Sequence, residues 1–163
     1  MRPPIRSLAN VTRKPPASKA TSAETLSRFA TRVQHALGIA GEVNIGITSN
    51  REMKALNRRF RKRNKPTDVL SFPSTTPGVA GDIAISLEIA ADNAAELGHS
   101  LAAEVKILIL HGMLHLAGYD HEIDDGEMRE RETELRQQLK LPVGLIERTH
   151  GSLPVGDNRK GRT

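Results

Sequence analysis

The segment from Ser100 to His121 constrains the fold more than any other part of the chain. Around Val105–Leu116 it is apolar on nearly every face of a helix, yet it carries His111 and His115, four residues apart. A helix that is apolar all round belongs in a core, so this one is expected at the centre of the molecule. Residues at i and i+4 stack on one helical face. Burying two imidazoles there costs free energy unless they are paired, and a shared metal ion would supply the pairing. Gly118 follows three residues after His115, where a glycine can take the left-handed conformation that ends a helix and reverses the chain. His121 can then return to the same ion. Three imidazole nitrogens with an open fourth position is the arrangement of a catalytic zinc site rather than a closed structural one. One zinc ion per chain is the expectation, although imidazole ligands suit Zn, Cu, Fe and Ni alike.

The spacing H-x-x-x-H-x-x-G-x-x-H resembles that of the metzincin proteases. Those enzymes need a glutamate directly after the first histidine as general base, and here that position is Gly112. Glycine offers no proton acceptor and weakens a helix by about 1 kcal/mol relative to alanine. Its use here points to close approach of a substrate or of a neighbouring element. Two carboxylates are candidates to orient a ligand imidazole. One is Asp120; the other is Glu104, seven residues before His111 on the same face. Glu104 also suits the first turn of a helix on dipole grounds. No residue stands out as a general base. Asp68 reads better as a strand-edge or turn residue. His35, His99 and His150 read as surface or loop residues.

The 163 residues fit one domain with a sizeable core, and the absence of cysteine removes disulfides and thiolate ligands. The longest apolar stretch, Val105–Ala117, is too short and too polar to span a bilayer, and the N-terminus has no apolar signal core. A cytoplasmic protein without membrane attachment is expected. The net charge of +5 is unevenly spread: 15 Lys/Arg against 3 acids in residues 1–65, but 6 against 15 in residues 66–150. Such asymmetry suggests a polyanionic partner on one side, against the plainer reading of a solvated basic surface.

Residues 1–20 read as a basic, mostly flexible arm, with a possible short edge strand at Ile5–Val11. Four prolines in the first sixteen residues argue against the amphipathic helix of a transit peptide. Thr21 or Ser22 caps a helix to about Leu37, with Leu26, Phe29, Ala30, Val33 and Leu37 inward. Glu42–Thr48 alternates as a strand. Ser49 or Asn50 caps a second helix to about Arg61, with Met53, Leu56 and Phe60 inward. Thr67–Phe72 and Asp82–Ser86 read as strands, with Gly78 and Gly81 marking a loop between them. Ser86 caps a helix ending at Gly98, with Leu87, Ala90, Ala94 and Leu97 on its buried side. Ser100 caps the histidine helix. Asp124 and Glu127 form a capping box for a last helix to about Lys140. Residues 151–163 read as a disordered tail. The expected fold is a single α+β domain over residues 21–150, with a small mixed sheet of three to four strands and about five helices.

Residues 51–65 hold eight Lys/Arg and one acid. Arg58, Arg59, Arg61, Lys62, Arg63 and Lys65 cluster where the second helix ends. One or two cations would satisfy the helix dipole; six fit phosphate contacts, which give sequence-independent affinity for nucleic acid. With three Phe, one Tyr and no Trp, a stacking platform for single strands is not expected. A metal that activates water beside a phosphate-binding arginine would suit phosphodiester hydrolysis.

Three motifs together, His111-Gly-Met-Leu-His-Leu-Ala-Gly-Tyr-Asp-His121, Leu56-Asn-Arg-Arg-Phe-Arg61 and Lys65-Pro-Thr-Asp-Val-Leu-Ser-Phe-Pro73, resemble the YbeY family, and Gly81-Asp-Ile-Ala-Ile fits the same pattern. The resemblance covers about residues 24–140. It implies a zinc site at His111, His115 and His121 and a functionally critical Arg61, which the charge count could not single out. It implies single-strand-specific RNA cleavage in 16S ribosomal RNA 3′-end maturation and late ribosome quality control. Partners would be the 16S precursor, small-subunit proteins and a ribosome-associated GTPase. Two other readings compete: a metallopeptidase, which Gly112 disfavours, and a non-catalytic ribosome-assembly factor with a structural metal.

Overall fold

The computed structural model describes residues 22–142 and 144–146. The arm at 1–20, Thr21, the possible strand at 5–11, His150 and the tail at 151–163 lie outside them. The described chain forms α1 (Ala23–Leu37), β1 (Glu42–Thr48), α2 (Asn50–Arg61), β2 (Val69–Pro73), β3 (Val79–Ser86), α3 (Leu87–Leu97), α4 (Leu101–Leu116) and α5 (Glu127–Gln138). Serine starts each of the first four helices. Ser22, Ser49, Ser86 and Ser100 accept from the backbone N–H of Thr25, Glu52, Ile89 and Ala103, each cap contributing about 1 kcal/mol. The last helix differs in detail from a capping box. Asp124 accepts from the N–H groups of both Gly126 and Met128 at 2.9 Å, while Glu127 reaches back to the N–H of Asp125.

The sheet is mixed, in the order β1-β3-β2, with β1 parallel and β2 antiparallel to β3. Five helices and three strands among the described residues make the expected α+β layer fold. β3 begins three residues earlier than the glycines suggested. Glu42 pairs with Val79 and Val43 with Gly81, so Ala80 is an extra residue on β3. Gly81 thus marks an irregularity inside a strand rather than a loop.

Side chains alternate across the sheet. Ile45, Ile83 and Ile85 join one core cluster with Leu26, Phe29, Val33, Leu108 and Met113. Ala84 and Leu70 join a second with Met53 and Leu56 of α2, closed by Phe60 and Phe72. α4 sits between the sheet and α1, α3 and α5, and Val105 and Ile107–Leu110 are fully buried. The histidine helix is therefore central, as its all-round apolarity required. On α3, Ala90 and Ala94 are buried, but Leu97 is 42% exposed. It occupies the last turn, where Gly98 turns the chain away, so the expectation of a buried Leu97 is corrected. No single helix among the described residues is long and apolar enough to cross a membrane.

Candidate metal centre

α4 places His111 and His115 on one face, one turn apart. The helix ends in a glycine turn: Gly118 has φ +100°, and the N–H of Tyr119 donates to the carbonyl of Leu114 at 3.0 Å. That six-residue closure is the Schellman pattern. It folds residues 119–121 back over the helix end and brings His121 to the pair. One nitrogen from each of the three rings lies within 4.8 Å of the other two.

The hydrogen bonds on the far side of two rings define what their Nε2 atoms can do. His111 Nδ1 is 2.9 Å from Oε2 of Glu132, a residue of α5. His115 Nδ1 is 3.1 Å from the carbonyl of Tyr119. Carboxylate and carbonyl oxygens only accept, so both Nδ1 atoms carry hydrogen, and in the neutral form of each ring Nε2 presents a lone pair. Those two Nε2 atoms face each other across 3.2 Å. Two lone pairs at that distance repel unless a positive charge sits between or beside them. The donor set fits a metal ion held by Nε2 of His111 and His115 together with His121. His115 is pushed down to about 4, chiefly by burial and then by the neighbouring His111 and His121; the Tyr119 carbonyl and Asp120 act in the opposite direction. A neutral imidazole at pH 7 is the form that binds a metal.

The centre opens into a cleft of about 620 Å³. His115 and His121 line one side, Phe60 and Arg61 at the end of α2 another, and Phe72 with Ser74–Thr76 a third. Arg61 is thus brought to the histidines from 50 residues upstream. Arg58, Arg59, Lys62, Arg63 and Lys65 are exposed around the end of α2 and are not part of the cleft wall. The turn after α2 is folded back: buried Asn57 donates from Nδ2 to the carbonyl of Lys65 at 2.8 Å. Arg59 lies over the Phe60 ring, 5.2 Å from its centroid. The scarce aromatics gather here, since Phe60, Phe72 and Tyr119 all border the cleft, with Phe60 and Phe72 edge to face at 5.1 Å.

The candidate orienting carboxylates are placed differently. Asp120 borders the cleft and accepts from the N–H of Glu122 at 3.0 Å. Glu104 is fully buried near the start of α4, roughly 10 Å along the helix from His111, where it meets His99 Nε2 at 2.7 Å and Asn93 at 3.3 Å. His99 is accordingly a largely covered partner of Glu104 rather than an ordinary loop residue, its side chain 14% exposed. Asp68 accepts from the N–H of Val69 at the start of β2. A carboxylate that does meet a site imidazole is Glu132, which does not stand out in the sequence among eight charged or amide neighbours on α5. A signal existed: Met128, Glu132 and Leu135 stand at i, i+4 and i+7, the buried stripe of that helix.

Gly112 also has its explanation. A Cβ there would meet Ile83 Cγ2 at 2.9 Å and Ser71 Oγ at 3.1 Å, and Ser71 Oγ donates to the Gly112 carbonyl at 3.0 Å. The close approach is by the sheet, which leaves no room for the glutamate of a zinc peptidase.

Comparison with known proteins gives a consistent result. The family model described as endoribonuclease YbeY matches residues 8–140. A Koribacter versatilis protein named endoribonuclease YbeY is 56% identical over 141 residues, covering 86% of this chain and 93% of its own. A Solibacter usitatus protein of the same name is 50% identical, covering 76% and 83% respectively. The solution structure of a Thermotoga maritima protein superposes with a TM-score of 0.54 at 32% identity, over 78% of this chain and 88% of that one. With two histidines at the end of a buried helix, a third returned to them by the turn that follows, and a match over most of its length, the chain belongs to the endoribonuclease YbeY family.

Proposed function

We propose that this protein is a zinc-dependent, single-strand-specific endoribonuclease acting in 16S ribosomal RNA 3′-end maturation and late ribosome quality control. The observation that carries the reading is the shared cleft: His115 and His121 face the same space as the Arg61 side of α2. His111, His115 and His121 would hold the ion. An ion held there would supply a lowered pKa for water in the cleft and polarisation of a phosphoryl oxygen.

The chain's own residues supply the rest. Arg61 neutralises charge that develops on the phosphate. The Glu132 carboxylate and the Tyr119 carbonyl hold His111 and His115 in the tautomer that offers Nε2. Arg58, Arg59, Lys62, Arg63 and Lys65 hold the flanking backbone by charge. A precursor RNA presented on the small subunit, with ribosomal proteins and a ribosome-associated GTPase nearby, fits a nuclease that reads backbone charge and shape. The cytoplasm is where such a substrate is found.

Metal analysis of the purified full chain, coupled to cleavage of a single-stranded RNA carrying the 16S 3′ precursor sequence, tests the reading. The expected result is about one zinc per chain, with cleavage lost in His115→Ala. Arg61→Ala should retain fold and metal but lose cleavage by on the order of 100-fold. Normal cleavage by Arg61→Ala would remove that residue from the reaction, and normal cleavage by metal-free protein would remove the zinc.

A further inference from the structure

Glu132 does more than touch His111. Its side chain is fully buried, and its two oxygens have separate partners. Oε2 accepts from His111 Nδ1 at 2.9 Å, and Oε1 accepts from the backbone N–H of Ile146 at 2.8 Å. Gly144 lies directly against it: a Cβ at Gly144 would stand 2.6 Å from Oε1 and 3.0 Å from both Cδ and Cγ. Ile146 is itself buried, 2% exposed, within the main core cluster. The segment 144–146 thus closes over α5 and grips the far end of the carboxylate whose near end holds a metal-site imidazole. This segment lies beyond residues 8–140, the stretch that the family model matches.

We infer that Glu132 is a positioning residue that couples the metal affinity of the histidine site to the docking of residues 144–146. The inference rests on the metal-site reading above. Its physics is that of a ligand imidazole oriented by a carboxylate, where loss of the partner costs 10–100-fold in metal affinity. A buried carboxylate with both oxygens engaged has little freedom to turn. The Ile146 N–H sets where Oε1 sits, so it also sets where Oε2 sits, and with it the tilt of the His111 ring. A glutamine at 132 has one acceptor oxygen and one donor NH2 group. With His111 in the tautomer that offers Nε2, it can satisfy His111 or Ile146 but not both.

The test uses the full-length chain and two probes, zinc by competition with a chromophoric chelator and cobalt(II) by its visible absorption in the site. Wild type is expected to bind either ion with one site per chain. Glu132→Gln should lose roughly 10–100-fold in affinity with its far-UV circular dichroism retained and an altered cobalt spectrum. Gly144→Ala leaves every histidine and Glu132 in place but pushes on Oε1; it should weaken binding several-fold. Addition of Glu132→Gln to His111→Ala should change the residual affinity no further, because the oriented ring is already gone. A wild type that binds neither ion sinks the metal reading itself. A wild type that binds, with a folded Glu132→Gln of unchanged affinity, overturns the positioning role alone. Should Glu132→Gln fail to fold, Gly144→Ala decides: weakened binding in that folded variant supports the coupling, and unchanged affinity refutes it.

Discussion

His115 shows how burial and close neighbours set the protonation of a single side chain. It sits one turn from His111, half-buried, with its Nδ1 hydrogen committed to the Tyr119 carbonyl. Burial and two neighbouring imidazoles make its protonated form costly, so in the metal-free protein it takes a proton only near pH 4, against 6.5 for an unfolded chain. Between those values the unfolded chain binds the additional proton, so acidification favours unfolding. The contribution is complete above about pH 6.5 and is lost as pH falls toward 4. Chelator-treated protein should therefore show a falling Tm over that window, and His115→Ala should flatten the slope. A slope identical in the two proteins, or a Tm that rises on acidification, would show that His115 does not titrate this way. The histidine site was legible at this scale because helix periodicity and a following glycine are local properties. The role of Gly112 was only half legible. Its missing proton acceptor is written in the sequence, but Ile83 and Ser71, which press on it, are 29 and 41 residues away.

At the scale of elements, the end of α2 combines two demands. Its inner face must pack Met53 and Leu56 into the smaller core, and its last turn and following loop must present cations. The chain separates them by burying Asn57, whose side chain ties down Lys65, so the basic loop stays beside the cleft instead of trailing from it. That tie was not legible, because an asparagine in a polar run gives no sign of burial. The helix starts were, since each serine cap acts within three residues. If Arg58, Arg63 and Lys65 contact phosphates, single-stranded RNA affinity should fall linearly with log salt, with a slope of about −0.7 per contact. Each alanine substitution should then lower the slope by about 0.7 while weakening all sequences alike. Binding titrations at several salt concentrations measure this, and an unchanged slope removes that residue from the RNA path.

For the whole molecule, the histidine cluster lies where three parts meet: the C-terminal end of α4, the turn at 117–121 and, through Glu132, α5. Of the sheet, β2 borders the cleft directly through Ser71, Phe72 and Pro73, whereas α1 packs on α4 and lines no part of it. Metal should thus stabilise the fold unevenly. By mass action an ion present at 1,000 times its Kd adds about 4 kcal/mol. For a domain of this size that corresponds to a rise in Tm of roughly 10–20 °C. Local openings below the global limit are expected to concentrate where fewest apolar contacts hold the backbone. Among the described residues the turn and loop 117–126 fit that description: Ile123 is 83% exposed, and beyond Tyr119 the backbone is held mostly by Asp120 and Asp124. Removal of metal should release His121 and let this loop open, while amides of β3, between two strands and covered by α4, exchange only through global unfolding. Hydrogen exchange with and without chelator distinguishes the outcomes. Faster exchange confined to 117–126 and the start of α5 supports a metal that fastens two helices together. Equal acceleration in β3 would mean instead that the ion holds the entire core, and no change anywhere would mean that the three imidazoles are positioned by packing alone.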